Sequence, residues 1–113
     1  EAVARGGAGG SNTTALSYLQ QLAVRARPTD PNAANSASLT LPYILTERGR
    51  ELMWEGHRRT DLIRYGQFTT GTYLWAWKGG VASGTGVDSK YNLYPIPADD
   101  LAANPNLTQN PGY

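Results

Sequence analysis

The chain has 113 residues, ten basic against nine acidic, and no cysteine. That length suits one domain with a modest core. Near-cancelling charge supplies no field to draw in nucleic acid or a membrane surface, and without cysteine there is neither a disulfide framework nor a thiolate metal site. No apolar run approaches the ~20 residues that span a bilayer, and no signal peptide opens the sequence. The chain starts at Glu1 and its one methionine is Met53, which leads us to expect a piece of a longer protein.

Residues 1–11, with glycine at positions 6, 7, 9 and 10, read as a flexible loop. Asn12, Thr13 or Thr14 is then placed to cap a helix through TALSYLQQLAVRA. Its Leu16, Leu19, Leu22 and Ala23 recur at spacings of three and four, with Tyr18 beside them. Arg25 and Arg27 suit the negative end of the helix dipole, and Pro28 stops it. RPTDPNAANSAS is a connector. A second helix begins near Thr40 to Pro42, the proline being tolerated in a first turn. Its stripe is Leu41, Ile44, Leu45, Gly49, Leu52, Met53 and Gly56. Each glycine there costs about 1 kcal/mol against alanine, which predicts a second backbone packed close by. Gly56 is also a candidate break, after which HRRTDLIRYG makes a shorter helix carrying Leu62, Ile63 and Tyr65 and closed by Gly66. Residues 12–66 are therefore expected to be helical.

Over residues 67–113 helical periodicity fades into an irregular meander. TYLWAWKGG reads as extended and β-prone, with no separate signal at Lys78 and Gly79, and GGVASGTGVDSK as a glycine-rich loop. YNLYPIPADDL runs extended through two prolines into one helical turn led by Pro97, with Asp99 and Asp100 at its start. ANPNLTQNPGY alternates turn-forming Asn and Pro, with Leu107 and Tyr113 as its expected anchors. The fold class is mainly α: two or three helices plus a long aromatic- and Pro/Asn-rich meander.

The stretch ELMWEGHRRTDLIRYG, Glu51 to Gly66, is dense in Glu, Arg, His and Asp. Glu51 and Glu55, four apart, share one helix face and cannot flank a sugar as a glycosidase pair must. His57 and Asp61 can converge, but two ligands do not close a metal site and no HExxH is present. Nor does His57 have a Ser or Cys nucleophile elbow near it. The chain therefore reads as non-catalytic, without cofactor or metal. Glu47 with Arg50, Glu55 with Arg58 and Arg59, and Asp61 with Arg58 or Arg64 stand at pairing distance along a helix, each pair worth about 0.2 to 0.5 kcal/mol when exposed. A short helix does not need so many, whereas arginine forks suit carbonyls and carboxylates of neighbouring segments. Arg48, Glu51, Glu55, Arg58, Asp61 and Arg64 are expected to form a structural clamp, in which Arg48, Arg58, Asp61 and Arg64 tie the C-terminal half to the helices. The glycosylation-like triplets at Asn12 and Asn106 are short enough to recur by chance, and GTG at Gly84 to Gly86 lacks the strand and helix of a phosphate loop.

ILTERGRELMWEGHRRTDLIRYGQF, then YLWAWKGG, then NLYPIPADDLAANPNLTQNPGY, with ALSYLQQLAVRAR upstream, resemble the C-terminal portion of the SusD/RagB family from about Thr14 onward. Gly49 stands where that family more often has alanine, and Thr60 where a bulky residue is common. The resemblance implies a mainly helical protein several times longer, with tetratricopeptide-like helix pairs. It implies a lipid anchor on an upstream segment, on the exterior face of the outer membrane, and a SusC-like TonB-dependent transporter as partner. The implied function is non-catalytic binding and delivery of an oligosaccharide or polysaccharide, with peptide as the other ligand class and no nucleic acid. The alternative is a segment that docks on the transporter without touching ligand. Candidate ligand contacts are Tyr73, Trp75 and Trp77, because alternate residues of an extended stretch point the same way and flat rings can stack on a sugar. The same rings could instead fill the gap between the helices and the tail.

Overall fold

The computed structural model describes residues 1–30, 34, 35 and 38–113. Among the described residues the regular structure is helical, with no strand. The α-helices are α1 (Asn12–Ala26), α2 (Leu41–Glu51), α3 (Arg58–Arg64) and α4 (Ala98–Ala103), and short 3-10 turns lie at Val3–Arg5, Lys78–Gly80 and Ser89–Asn92. The mainly α expectation holds. The chain divides into two compact units, Glu1–His57 and Arg58–Tyr113, so α3 belongs with the meander. Part of the Pro/Asn/Ser connector lies outside the described residues.

In the first unit, the opening residues hold a 3-10 turn rather than a featureless loop. Gly6 closes it at φ 78° with its N–H on the Val3 carbonyl, and Arg5 Nε donates to Glu1 at 2.8 Å. The cap of α1 falls one residue earlier than expected, on Ser11, whose Oγ accepts from the Thr14 N–H at 3.1 Å. Ala23 of α1 is fully buried, but Tyr18 stands 63% exposed and is not part of the buried stripe. Thr40 caps α2 through the Tyr43 N–H, with Pro42 in the first turn and Ile44 and Leu45 in the core.

The α2 stripe stops short of its predicted length. The helix ends at Glu51, and Met53, Trp54 and Gly56 fall in an exposed turn. Trp54 at φ 71° and Gly56 at φ 75° are left-handed, a conformation no right-handed helix can pass through. Nothing lies within 4 Å of where a Gly56 Cβ would stand, so this glycine serves the turn and not a close backbone contact.

In the second unit, Asp61 and Leu62 are the buried residues of α3. The Leu62 carbonyl accepts from the N–H groups of Gln67 (2.8 Å) and Phe68 (3.1 Å), with Gly66 left-handed at φ 67°. The expected extended run through TYLWAWKGG is absent, because Trp77 is left-handed at φ 68° and the chain turns at once into Lys78–Gly80. Loops then bond to loops: Thr85 N–H to the Lys78 carbonyl (3.0 Å) and Val87 N–H to the Thr69 carbonyl (2.8 Å). Gly84 is left-handed, and a Cβ there would lie 2.5 Å from the Trp75 carbonyl oxygen. Pro97 leads α4, with Asp99 and Asp100 in its first turn as read.

The tail is pinned chiefly by amides. Gln109 accepts from the Ile96 N–H (2.8 Å) and donates to the Ile96 carbonyl (2.9 Å), and Asn110 Nδ2 donates to the Tyr94 carbonyl (2.7 Å). The Tyr113 hydroxyl lies 3.1 Å from the Leu93 carbonyl, and Lys90 Nζ donates to the Gly112 carbonyl at 3.1 Å. Leu107, expected as an anchor, is 40% exposed.

Candidate functional site

The second unit sets its aromatic rings against cationic side chains, among them Arg58, Arg59, Lys78 and Lys90. Arg58, at the start of α3, donates to the Tyr73 hydroxyl. Trp75 stacks on Phe68, ring centres 6.0 Å apart at 27°, and meets Tyr73 at 6.3 Å and 57°. Tyr73 and Trp75 are thus brought together but tilted, not coplanar. Trp77, turned away by its left-handed backbone, is 69% exposed.

Two clefts share Trp75, Phe68 and Arg59 as walls. One, of about 320 Å³, is completed by Lys78, Val87, Tyr91, Leu93, Tyr94 and Tyr113 among others. The other, of about 310 Å³, is completed by Arg58, Leu62 and Tyr73. Trp77 lines neither. These volumes sit at the low end for small-ligand pockets. The Arg59 guanidinium carbon lies 3.9 Å from the Tyr94 ring centre and 5.0 Å from that of Phe68, and Nη2 donates to the Tyr91 carbonyl at 2.6 Å. A cation held against aromatic faces and bonded at its rim is a strong local tie. Sequence reasoning left Arg59 out of the clamp.

Lys78 gave no signal in the sequence either. Its side chain lies in the interior, the residue being 2% exposed. Nζ donates to the carbonyls of Thr70 (2.5 Å), Tyr73 (2.7 Å) and Gln67 (3.4 Å) and stands 4.6 Å from the Trp75 ring centre. An ammonium has three N–H groups, and three carbonyls receive them.

The residues read as a clamp fall into two sets. In the first unit Arg48 lies half-buried on α2, Arg25 Nη2 reaches the Glu51 carboxylate (2.6 Å to Oε2), and Glu55 is exposed in the turn before His57. Glu47, buried on α2, accepts from Arg50 at 3.0 Å. In the second unit Asp61, 3% exposed, accepts from Arg64 Nη2 at 2.8 Å, while Arg58 serves Tyr73. Among the described residues no group of three or more His, Asp or Glu could hold a metal ion, and no helix is long and apolar enough to cross a membrane.

Over 76 residues the chain is 51% identical to the starch-binding protein SusD of Bacteroides thetaiotaomicron. The matched stretch is 67% of this chain but only 14% of that relative's length. The model of the SusD family matches residues 1–113. Matched over its whole length, the chain belongs to the SusD family.

Proposed function

We propose that this chain is part of a non-catalytic glycan-binding protein that works at the exterior face of the outer membrane and passes its ligand to a SusC-like TonB-dependent transporter. The observation that carries the reading is the 51% identity to a starch-binding relative. An α-linked glucose polymer is accordingly the ligand class. Within this segment Tyr73, Trp75 and Trp77 are the proposed contacts, with Trp75 central because it forms a wall of both clefts. A ring already fixed by its neighbours loses little freedom when a sugar stacks on it, and Trp75 keeps 40% of its surface open to solvent. The lipid anchor belongs to the longer protein.

A second reading draws on the same walls. Their linings are chiefly aromatic and aliphatic, which also suits a protein surface such as that of the transporter, with no glycan involved. The proposed clamp would then be scaffold for docking. Titrating the 113-residue chain with maltoheptaose, followed by tryptophan fluorescence beside a thermal melt, separates the two. A saturable change abolished by Trp75→Ala supports glycan binding here. A cooperative melt with no change for maltoheptaose or for other oligosaccharides favours docking.

A further inference from the structure

Lys78 is an unusual use of lysine, which is almost never fully buried unless paired. Among the described residues no carboxylate accounts for it. Its partners among the described residues are three backbone carbonyls from one loop, at Gln67, Thr70 and Tyr73, together with the face of Trp75. Burying an ammonium without such partners is strongly unfavourable, so the loop and the lysine specify one another. The main chain of Lys78 holds the same region: its N–H donates to the Trp75 carbonyl at 3.1 Å and its carbonyl accepts from the Thr85 N–H at 3.0 Å. Residues 67–75 have no helix or strand to set their shape. The Lys78 cation at their centre joins three of their carbonyls.

We propose that Lys78 is the positioning residue of the Trp75 site: by gathering the Gln67, Thr70 and Tyr73 carbonyls on Nζ, it fixes the loop in the form that offers Tyr73 and Trp75 to ligand. The inference rests on the glycan reading for what is bound, though not for what Lys78 does to Trp75. Lys78 touches no sugar on this account. Its effect passes through the orientation of the rings, as preorganised sites require.

The test uses the 113-residue chain with Lys78→Met, which keeps the stem and removes the donors, and Asn104→Ala, which removes the side-chain acceptor of the Asn106 N–H in the same unit and lines neither cleft. Calorimetric titration with maltoheptaose gives one readout. In a Trp54→Phe Trp77→Phe background, Trp75 is the sole tryptophan, and its fluorescence anisotropy and acrylamide quenching give a second. Expected for Lys78→Met are an affinity about tenfold weaker, lower anisotropy and faster quenching, with Asn104→Ala close to the parent in all three. Should Lys78→Met fail to fold, Lys78→Arg replaces it, because its planar fork cannot serve three carbonyls converging on one point. Unchanged anisotropy and quenching in the lysine variant would overturn the proposal, whatever the glycan result. Glycan binding by the parent that Lys78→Met leaves intact would also overturn it and leave the glycan reading standing. A parent that binds no glycan removes that reading alone, and the spectroscopic arm then decides whether Lys78 positions Trp75.

Discussion

Replacing Gln109 by alanine should destabilise the second unit more than any apolar truncation in the tail. The side chain receives the N–H groups of Ile96 (2.8 Å) and Asn110 (2.9 Å) and donates to the Ile96 carbonyl (2.9 Å). A hydrogen bond contributes about 1 kcal/mol net, so three give about 3 kcal/mol. Gln109 is only part-buried, and water would replace some of what is lost, leaving about 2 kcal/mol. For a unit of this size that corresponds to roughly 8 to 16 °C in melting temperature. Leu107→Ala, at a side chain 40% exposed, should cost less than about 1 kcal/mol. Thermal melts of both variants, with limited proteolysis to report release of the tail, make the comparison direct. If Leu107→Ala lowers the melting temperature more than Gln109→Ala does, the tail is held by apolar burial and the reasoning from amide pairing is wrong.

Glycine replacements should separate strain from collision. Gly56→Ala meets nothing within 4 Å at φ 75° and should cost about 1 to 2 kcal/mol for the left-handed backbone alone. Gly84→Ala meets the Trp75 carbonyl at 2.5 Å as well. It should cost clearly more than about 2 kcal/mol and shift Trp75 emission; equal melts for the two variants would count against the close approach. Ser11→Ala should lower stability by about 1 kcal/mol, whereas Asn12→Ala, one residue inside α1, should change it little, both read by circular dichroism. Trp54→Gly relieves a left-handed tryptophan that is 95% exposed. It should leave the melt unchanged or raise it by up to about 1 kcal/mol, and a marked loss of stability would show that the indole packs on something.

What could be read from the residues, and what could not, divides along a physical line. Thr40 before Leu41-Pro42, or Pro97 before two aspartates, declares a helix start through its own side chains, and those starts were legible. The end of α2 was not. Leu52, Met53 and Gly56 continue the apolar spacing while the backbone at Trp54 crosses to positive φ, and periodicity carries no record of that crossing. The same blindness affected Tyr73, Trp75 and Trp77, whose alternation means a shared face only in an extended chain; at Trp77 the chain turns. Lys78, Arg59 and Gln109 were missed for a different reason. Each binds main-chain atoms of residues 5 to 32 positions away, and a carbonyl offers the same oxygen whatever side chain stands beside it. No choice of letters marks such a partner.

The division after His57 gives the motif EGHRRTDL a double character. Its first three residues close one compact unit and its last five open the other as most of α3, so the most recognisable stretch of the chain ends one unit and begins the next. Two demands meet in eight consecutive letters: Gly56 must turn the end of the first unit, while Asp61 and Leu62 must anchor the second. Variation there is constrained twice over, once by each compact unit. A substitution before the division should register in the melting of one unit, and a substitution after it in the melting of the other.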